Sequence, residues 1–235
     1  YWDLKDYSKQ GQIGLEPYDN YLSRLAQVFK ETFRVLKPHA SMWININIRT
    51  KNKKPILIPL DISNICKKIG FNFKEVIIWH KSSGIPTNKK NLSDHFEYFL
   101  WFTKSNNFIM NNEAVSNITD YKNERINFGF TWNINRKAGS VGKDYIHPAI
   151  YPTELIERII ELCTCKGGVV LDPFLGSGTS LIAAINKDRS CIGYELNENF
   201  MSLIDYRLSL SNIDPLDIDF IVSPDIKLNN VKIFR

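Results

Sequence analysis

Hydrophobic and polar positions along the N-terminal half follow two periods, which predict helices and strands in turn. In two stretches the apolar residues recur every three or four positions, and these stretches end at Pro38 and Gly70. Elsewhere the apolar residues alternate with polar ones or run together, as they do in half-buried and buried strands. The predicted elements are helices over residues 18–37 and 57–69 and strands over residues 41–47, 73–79 and 98–102.

The C-terminal part continues this alternation and predicts the fold class. Strands that alternate with helices favour an α/β fold with a Rossmann-like, doubly wound, mostly parallel sheet. The two consecutive strands between residues 73 and 102 leave room for one antiparallel strand. We expect one domain over residues 1–235. The predicted C-terminal elements are helices over residues 153–163, 180–185 and 197–210 and strands over residues 168–171, 190–194 and 218–222.

A glycine turn joins the strand over residues 168–171 to the helix that follows it. Its sequence is Asp-Pro-Phe-Leu-Gly-Ser-Gly-Thr, from Asp172 to Thr179. Strand, glycine turn and helix are the arrangement that holds a nucleoside cofactor at the edge of a parallel sheet. The two glycines let the backbone approach a ligand closely, and Asp172 ends the strand, where ligands of open α/β sheets sit.

An acidic residue ends the next predicted strand, and its sequence separation from Asp172 is typical of a ribose-binding acid. Glu195 lies 23 residues after Asp172, close to the spacing of roughly 20 residues at which an acid meets a ribose diol in such folds. Phe174, Ile192 and Leu196 are candidates for an adenine pocket. Thr179 starts a helix, where its hydroxyl could cap the helix or reach an anionic end of the cofactor.

The glycine turn and the Gly-Tyr-Glu-Leu sequence of residues 193–196 together resemble the S-adenosylmethionine site of the DNA amino-methyltransferases, which methylate exocyclic amines of adenine or cytosine. Residues 147–152, His-Pro-Ala-Ile-Tyr-Pro, resemble the H-P-A-x-[FYK]-P segment of that family. Residues 1–7 and 11–16 resemble the segments that follow its catalytic S-P-P-Y or D-P-P-Y tetrapeptide. The catalytic region precedes the cofactor region, as in the β-group, and the resemblance covers about residues 1–211.

The resemblance implies a methyltransferase fold, S-adenosylmethionine as cofactor and a role for each matching residue. Tyr1 would stack, as the catalytic residue, on a base extruded from the duplex. His147, Ala149 and Tyr151 would lie near the methionine end of the cofactor. The other residues expected to bind the cofactor are Asp172, Phe174, Gly176, Ser177, Gly178, Thr179, Glu195 and Leu196.

The chain begins at Tyr1, so the polar head of the tetrapeptide and the strand that carries it are expected upstream, and we interpret the sequence as a fragment. An inactive remnant is the alternative. The tyrosine-tryptophan start and the Gly-Gln-Ile-Gly-Leu-Glu segment resemble members whose tetrapeptide begins with serine, which often methylate cytosine N4. We therefore expect cytosine N4 as the target and keep adenine N6 as the alternative.

Positive charge is concentrated in the middle of the chain. Residues 51–150 hold 15 Lys or Arg against 8 Asp or Glu, whereas the whole protein has a formal net charge of +5. A basic middle segment suits a polyanion, although a solvated basic face gives the same count. We expect double-stranded DNA to be read by the loop 81–94 and the irregular segment 105–146. The candidate phosphate contacts are Lys89, Lys90, Arg136 and Lys137.

The four cysteines, Cys66, Cys163, Cys165 and Cys191, all lie in apolar periodic segments and form no C-x-x-C motif. We expect reduced core thiols, with no disulfide and no metal site. The sequence contains no apolar run long enough to span a bilayer, and a cytoplasmic protein without membrane partners is expected.

We therefore predict a site-specific DNA amino-methyltransferase of a restriction-modification system, with a cognate restriction endonuclease and a homodimer as further expected partners. A nicotinamide-dependent oxidoreductase uses the same strand-turn-helix, but no G-x-G-x-x-G is present here. A non-catalytic DNA-binding remnant is the third hypothesis, and it predicts DNA binding without methyl transfer even when the upstream segment is restored.

Overall fold

The computed structural model divides the chain into two compact units. The N-terminal unit comprises Tyr1–Asp6 and Ile13–Arg136, and the C-terminal unit comprises Tyr7–Gln12 and Lys137–Arg235. One catalytic domain over residues 1–235 stays a prediction. The structure describes residues 2–3, 11–85, 94–112, 130–135, 140–141, 145–146, 150, 152–211, 218–221 and 231–234.

The N-terminal unit contains two long helices and a four-stranded sheet. The helical period predicts both helices to within two residues because each buries one apolar face. A small hairpin, β2 with β3, precedes the second helix. The elements are α1 (Tyr18–Val35), β1 (Ser41–Ile46), β2 (Arg49–Lys51), β3 (Lys54–Ile56), α2 (Ile58–Ile69), β4 (Asn72–Ile85), β5 (Asp94–Thr103) and β6 (Thr131–Asn133).

In this sheet one strand is antiparallel to both of its neighbours. The order is β1-β5-β4-β6, in which β5 is antiparallel to β1 and β4, and β4 is parallel to β6. The expected antiparallel strand is thus confirmed as β5. The β4 strand extends six residues beyond Trp79, where the predicted strand ended, because His80 and Ile85 still pair with β5. Residues 81–85 of the predicted loop 81–94 therefore belong to β4.

The core of the N-terminal unit lies between the two helices and one face of the sheet. Each helix contributes three buried side chains spaced four residues apart, which is the spacing of one helix face. The central buried residues are Tyr21, Leu25, Phe29, Met42, Ile46, Ile58, Ile62, Cys66, Leu100 and Phe102.

The C-terminal unit has a second four-stranded sheet, in the order β11-β12-β10-β9. β9 and β10 are parallel, whereas β12 is antiparallel to β10 and β11. Helices alternate with parallel strands here, which confirms the α/β class, but β12 was not predicted. The elements are β7 (Ser140–Val141), β8 (Tyr145–Ile146), α3 (Thr153–Cys163), β9 (Val169–Asp172), α4 (Thr179–Asn186), β10 (Ser190–Tyr194), α5 (Phe200–Leu210), β11 (Ile218–Ile221) and β12 (Val231–Phe234).

The helix that follows the glycine turn forms the centre of the C-terminal core. Four consecutive residues of α4 are buried, so the helix is enclosed on several sides rather than along one stripe. Ile160 of α3, Cys191 of β10 and Ile204 of α5 belong to the same apolar cluster. This packing fixes the start of α4, and with it the end of the turn.

Three of the four cysteines are buried, as predicted, but Cys165 is exposed. The prediction for Cys165 was wrong because this residue lies beyond the last turn of α3, in the connection to β9. Among the described helices, none combines the length and apolar composition that crossing a membrane requires.

Candidate cofactor site at the glycine turn

The glycine turn leaves β9 at Asp172 and enters α4 at Thr179. Gly178 is the N-cap of α4, and its φ of 76° lies in the left-handed region that favours glycine. A Cβ atom on Gly178 would lie 3.1 Å from Ile204 Cγ1. The turn therefore needs glycine at this position for its backbone conformation and for close packing against α5.

The same turn is packed tightly against the neighbouring strand. The Leu175 N–H donates to the Tyr194 carbonyl at 2.9 Å, and Leu175 is buried. A Cβ atom on Gly193 would approach Leu175 Cδ2 to 2.6 Å, which is shorter than any ordinary contact. Gly193 thus allows β10 to support the turn, and Glu195 follows directly at the end of this strand.

Asp172 stabilises the beginning of the turn through two hydrogen bonds. Its Oδ1 accepts the Phe174 N–H at 2.9 Å, and its Oδ2 accepts the Ser180 hydroxyl at 2.6 Å. Burial raises the pKa of Asp172, although these two hydrogen bonds partly oppose the shift. The carboxylate therefore organises the turn that follows it.

Glu195 holds the middle of the turn from the adjacent strand. Its Oε2 accepts the Gly176 N–H at 2.7 Å, and its Oε1 accepts the Asn197 N–H at 2.6 Å. Burial raises the pKa of Glu195, and the charge of Asp172 acts in the same direction. A carboxylate has about four acceptor positions, so Glu195 retains acceptor capacity for the hydroxyl groups of a ligand.

Arg207 of α5 is a residue of this region that the sequence-based predictions missed. It is 7% exposed, and its Nη1 donates to the Ser177 carbonyl at 2.6 Å and to the Ser177 and Thr179 hydroxyls at 2.8 Å each. Burial lowers the pKa of Arg207 to about 10, so the guanidinium remains charged at neutral pH. The signal available in the sequence was an arginine at helical spacing among Leu203, Ile204 and Leu208.

The predicted cofactor residues differ in how they present their side chains. Phe174 is 51% exposed, whereas the Ser177 and Thr179 side chains are buried. Thr179 is the first residue of α4 rather than its cap, and Gly178 makes no capping bond. Of the two roles predicted for the Thr179 hydroxyl, capping is wrong, because this hydroxyl accepts a hydrogen bond from Arg207 instead. Ile192 and Leu196 are half-buried.

The remaining predicted site residues lie outside the described residues. They are Tyr1, His147, Ala149 and Tyr151 of the expected catalytic and methionine sites and Lys89, Lys90, Arg136 and Lys137 of the expected DNA contacts.

The segment 11–16, which resembles the region after the catalytic tetrapeptide, is anchored from Ile13 onward within the N-terminal unit. The Trp2 indole N–H donates to the Glu16 carbonyl at 2.9 Å, and Glu16 Oε2 accepts the Gly14 N–H at 2.7 Å. The Asp3 N–H donates to the Gly14 carbonyl at 2.7 Å. Residues 2–3 are thereby held beside this segment.

The N-terminal unit also buries an ion pair on β4 and β5. Lys81 is 1% exposed, and its Nζ lies 2.7 Å from Glu97 Oε1. The same ammonium lies 5.1 Å from the centroid of the Trp79 ring, within the range of a cation–π interaction.

Comparison with known proteins identifies the family. The DNA methylase family model, N6_N4_Mtase, matches residues 1–205. The Type II methyltransferase M.Cfr9I of Citrobacter freundii is 32% identical over 88% of this chain and 78% of its own length. The Type II methyltransferase M.SmaI of Serratia marcescens is 30% identical over 88% of this chain and 81% of its own.

Solved structures agree in fold. TTHA0409 of Thermus thermophilus, solved in complex with S-adenosyl-L-methionine, is 27% identical, with a TM-score of 0.61 over 83% of this chain and 79% of that one. The PvuII DNA methyltransferase, which is cytosine-N4-specific, has a TM-score of 0.72 at 19% identity over 86% of this chain and 76% of that one, and supports the fold alone. The resemblance drawn from the motifs is confirmed: this chain belongs to the DNA methylase family.

Proposed function

We propose that this protein transfers a methyl group from S-adenosylmethionine to the N4 amine of a cytosine extruded from double-stranded DNA. The observation that carries the proposal is the pair of carboxylates, Asp172 and Glu195, at the ends of adjacent parallel strands around a glycine turn. Ligands of open α/β sheets bind at this edge. The family match and a relative solved with S-adenosyl-L-methionine support this cofactor.

The residues around the turn fit the parts of such a cofactor. Glu195 has acceptor capacity for the two ribose hydroxyls, and the backbone at Gly176 has no side chain to keep a ligand away. Phe174 presents an exposed ring, and Leu196 is half-buried, so both suit a flat apolar base. Ser177 and Thr179 contribute through the backbone, because Arg207 engages their hydroxyls.

The cofactor supplies an electrophilic methyl group on a sulfonium. In the reaction, the lone pair of the amine nitrogen forms a bond to the methyl carbon. The bond between that carbon and sulfur breaks, its electron pair stays on sulfur, and the amine then loses a proton. Such an in-line displacement depends on alignment. We propose that Tyr1 stacks on the extruded base and helps to align it.

DNA binding is assigned to the basic middle of the chain. We propose that Lys89, Lys90, Arg136 and Lys137 contact phosphates, since phosphate contacts position a protein on the duplex while base edges supply sequence information. A substitution of one of these lysines by alanine would then weaken binding of every DNA sequence alike and reduce its salt dependence.

The choice of cytosine rests on residues 1–7 and 11–16, which resemble members whose tetrapeptide begins with serine. To test it, the full-length protein is incubated with S-adenosylmethionine labelled in its methyl group and with genomic DNA, which is then digested to nucleosides. Label in N4-methylcytosine is the expected result. Label confined to N6-methyladenine would overturn the choice of base, and DNA binding without label would favour the inactive remnant.

We further propose that the protein protects the recognition site of a cognate restriction endonuclease and acts as a homodimer. The Type II methyltransferase relatives support the first part. Resistance of methylated plasmid to the partner nuclease would test it. Sedimentation equilibrium would test the second, with a monomer at micromolar concentration as the contradicting result.

A further inference from the structure

We infer that Arg207 is a positioning residue of the cofactor site, which holds the glycine turn in its binding conformation from the buried side. This inference rests on the proposed cofactor function. It assigns to α5 a task that neither the motif nor the apolar pattern of that helix indicates.

Arg207 contacts the residues on both sides of Gly178. One guanidinium nitrogen reaches the carbonyl and hydroxyl of Ser177 and the hydroxyl of Thr179, at 2.6–2.8 Å. These residues flank Gly178, whose backbone is left-handed, as is that of Gly176 in the same turn. The two hydroxyls lie 3.3 Å apart, so a single donor group fixes both sides of the bend.

The same helix also limits the turn sterically. Ile204 lies three residues before Arg207, on the same face of α5, and its Cγ1 would lie 3.1 Å from a Cβ on Gly178. Ile204 thus sets how closely the turn approaches the helix, while Arg207 sets its orientation through directed hydrogen bonds.

The charge of Arg207 is not explained by stability alone. Its hydrogen-bond partners in the described part of the chain are neutral oxygens, and no ion pair found there includes it. Burying a guanidinium without a carboxylate is unfavourable compared with burying an apolar side chain. Leu203, Ile204 and Leu208 around it are apolar and buried, so packing alone would favour a fourth apolar residue.

Arg189 provides a matched control in the same unit. It is a second buried arginine, 9% exposed, and it also bonds neutral oxygens: the Thr164 hydroxyl at 3.0 Å, the Thr164 carbonyl at 2.8 Å and the Lys187 carbonyl. These partners follow the ends of α3 and α4 and do not belong to the glycine turn. An Arg189→Met variant therefore removes a comparable buried network without changing the contacts of the turn.

The test measures binding of S-adenosylhomocysteine by calorimetry for wild type, Arg207→Met, Arg207→Lys and Arg189→Met, with melting temperatures recorded for each. We expect Arg207→Met to bind at least ~10-fold more weakly, since it removes hydrogen bonds from a charged group. Arg207→Lys, which keeps one charged donor, should recover part of the affinity. Arg189→Met should lower the melting temperature comparably but bind within about twofold of wild type. In methylation assays, Arg207→Lys should raise KM for S-adenosylmethionine more than it lowers kcat.

Binding by Arg207→Met as tight as by wild type would overturn the inference, as would an equal loss of affinity in Arg189→Met. If Arg207→Met does not fold, Arg207→Lys decides the question: unchanged affinity and an unchanged KM would overturn the inference. If wild type methylates DNA and Arg207→Met does so with an unchanged KM for S-adenosylmethionine, the positioning role of Arg207 is refuted while the proposed function stands. Absence of cofactor binding by wild type would refute the proposed function, and the inference with it.

Discussion

Two sites, one in each unit, stabilise their charges in different ways. In the C-terminal unit, Asp172 and Glu195 accept hydrogen bonds from backbone N–H groups and a hydroxyl, and no cation pairs with either of them in the described part of the chain. In the N-terminal unit, Lys81 is buried directly against Glu97. The first arrangement leaves negative charge and acceptor capacity for a ligand, whereas the second neutralises its charge internally. Perturbed, unpaired acids of the first kind are typical of functional sites.

This contrast implies that the proposed cofactor site is less stable than it could be. The pKa values of both acids are raised, mainly by burial, so their ionised forms are unfavourable in the folded protein. Binding sites often retain such groups at the expense of stability. Substitutions in the two units should therefore separate stability from cofactor affinity.

The largest effect on stability is expected from Glu97→Leu. The variant leaves Lys81 charged and buried, and removal of one partner of a buried ion pair typically costs about 3–5 kcal/mol. The free energy of unfolding, measured by urea titration, should fall by that amount while S-adenosylhomocysteine affinity of the folded protein is unchanged. The double variant Lys81→Met/Glu97→Leu is the control and should recover most of the loss. A tenfold loss of affinity in folded Glu97→Leu would place this ion pair in the cofactor site.

Gly193→Val should affect both properties. Its side chain would collide with Leu175 and displace the turn, and overpacking of this kind costs about 1–3 kcal/mol. Calorimetry should show at least ~10-fold weaker S-adenosylhomocysteine binding, because displacement of the turn moves Gly176 away from Glu195. Loss of stability with normal affinity would contradict the role of β10 as the support of the turn.

Asp172→Asn should raise stability at neutral pH. The asparagine oxygen can still accept the Phe174 N–H, and its amide can donate to the Ser180 hydroxyl. Because the pKa of Asp172 is raised above its ordinary value of 3.8, wild type loses stability as pH rises from below 3.8 through the folded-state pKa. The variant should therefore melt a few degrees higher at pH 7. Below about pH 4 the difference should vanish, and a constant difference at all pH values would contradict this explanation.

The smallest effect is expected from Arg34→Ala. Arg34 pairs with Glu31 on the surface of α1, where both side chains are more than 60% exposed. Such pairs contribute about 0–1 kcal/mol, so urea titration should place the variant within ~0.5 kcal/mol of wild type. A larger loss of unfolding free energy would show that exposed charge pairs stabilise this unit as much as buried ones do.

The sequence was informative where local rules determine the structure. Helices α1, α2 and α3 have one apolar face, and their period predicts them closely. Asp172 and Glu195 could be predicted because acids that end parallel strands meet at one edge.

Other features depend on partners that are distant in the sequence. β6 was not predicted because its three residues pair with β4, more than 50 positions away. β12 was missed for the same reason, since it is placed by β10 and β11. Arg207 was missed because periodicity counts arginine as a solvent-facing residue, whereas here its three acceptor atoms lie about 30 residues earlier.

We propose that Glu195 and the glycine turn bind the methyl donor. Calorimetric titration of S-adenosylhomocysteine into wild type and Glu195→Gln at pH 7 is the sharpest test. The glutamine has one acceptor oxygen where two N–H groups now bind, so we expect binding by wild type and at least ~10-fold weaker binding by the variant. Equal affinity of the two proteins, or binding of NAD in place of S-adenosylhomocysteine, would contradict it.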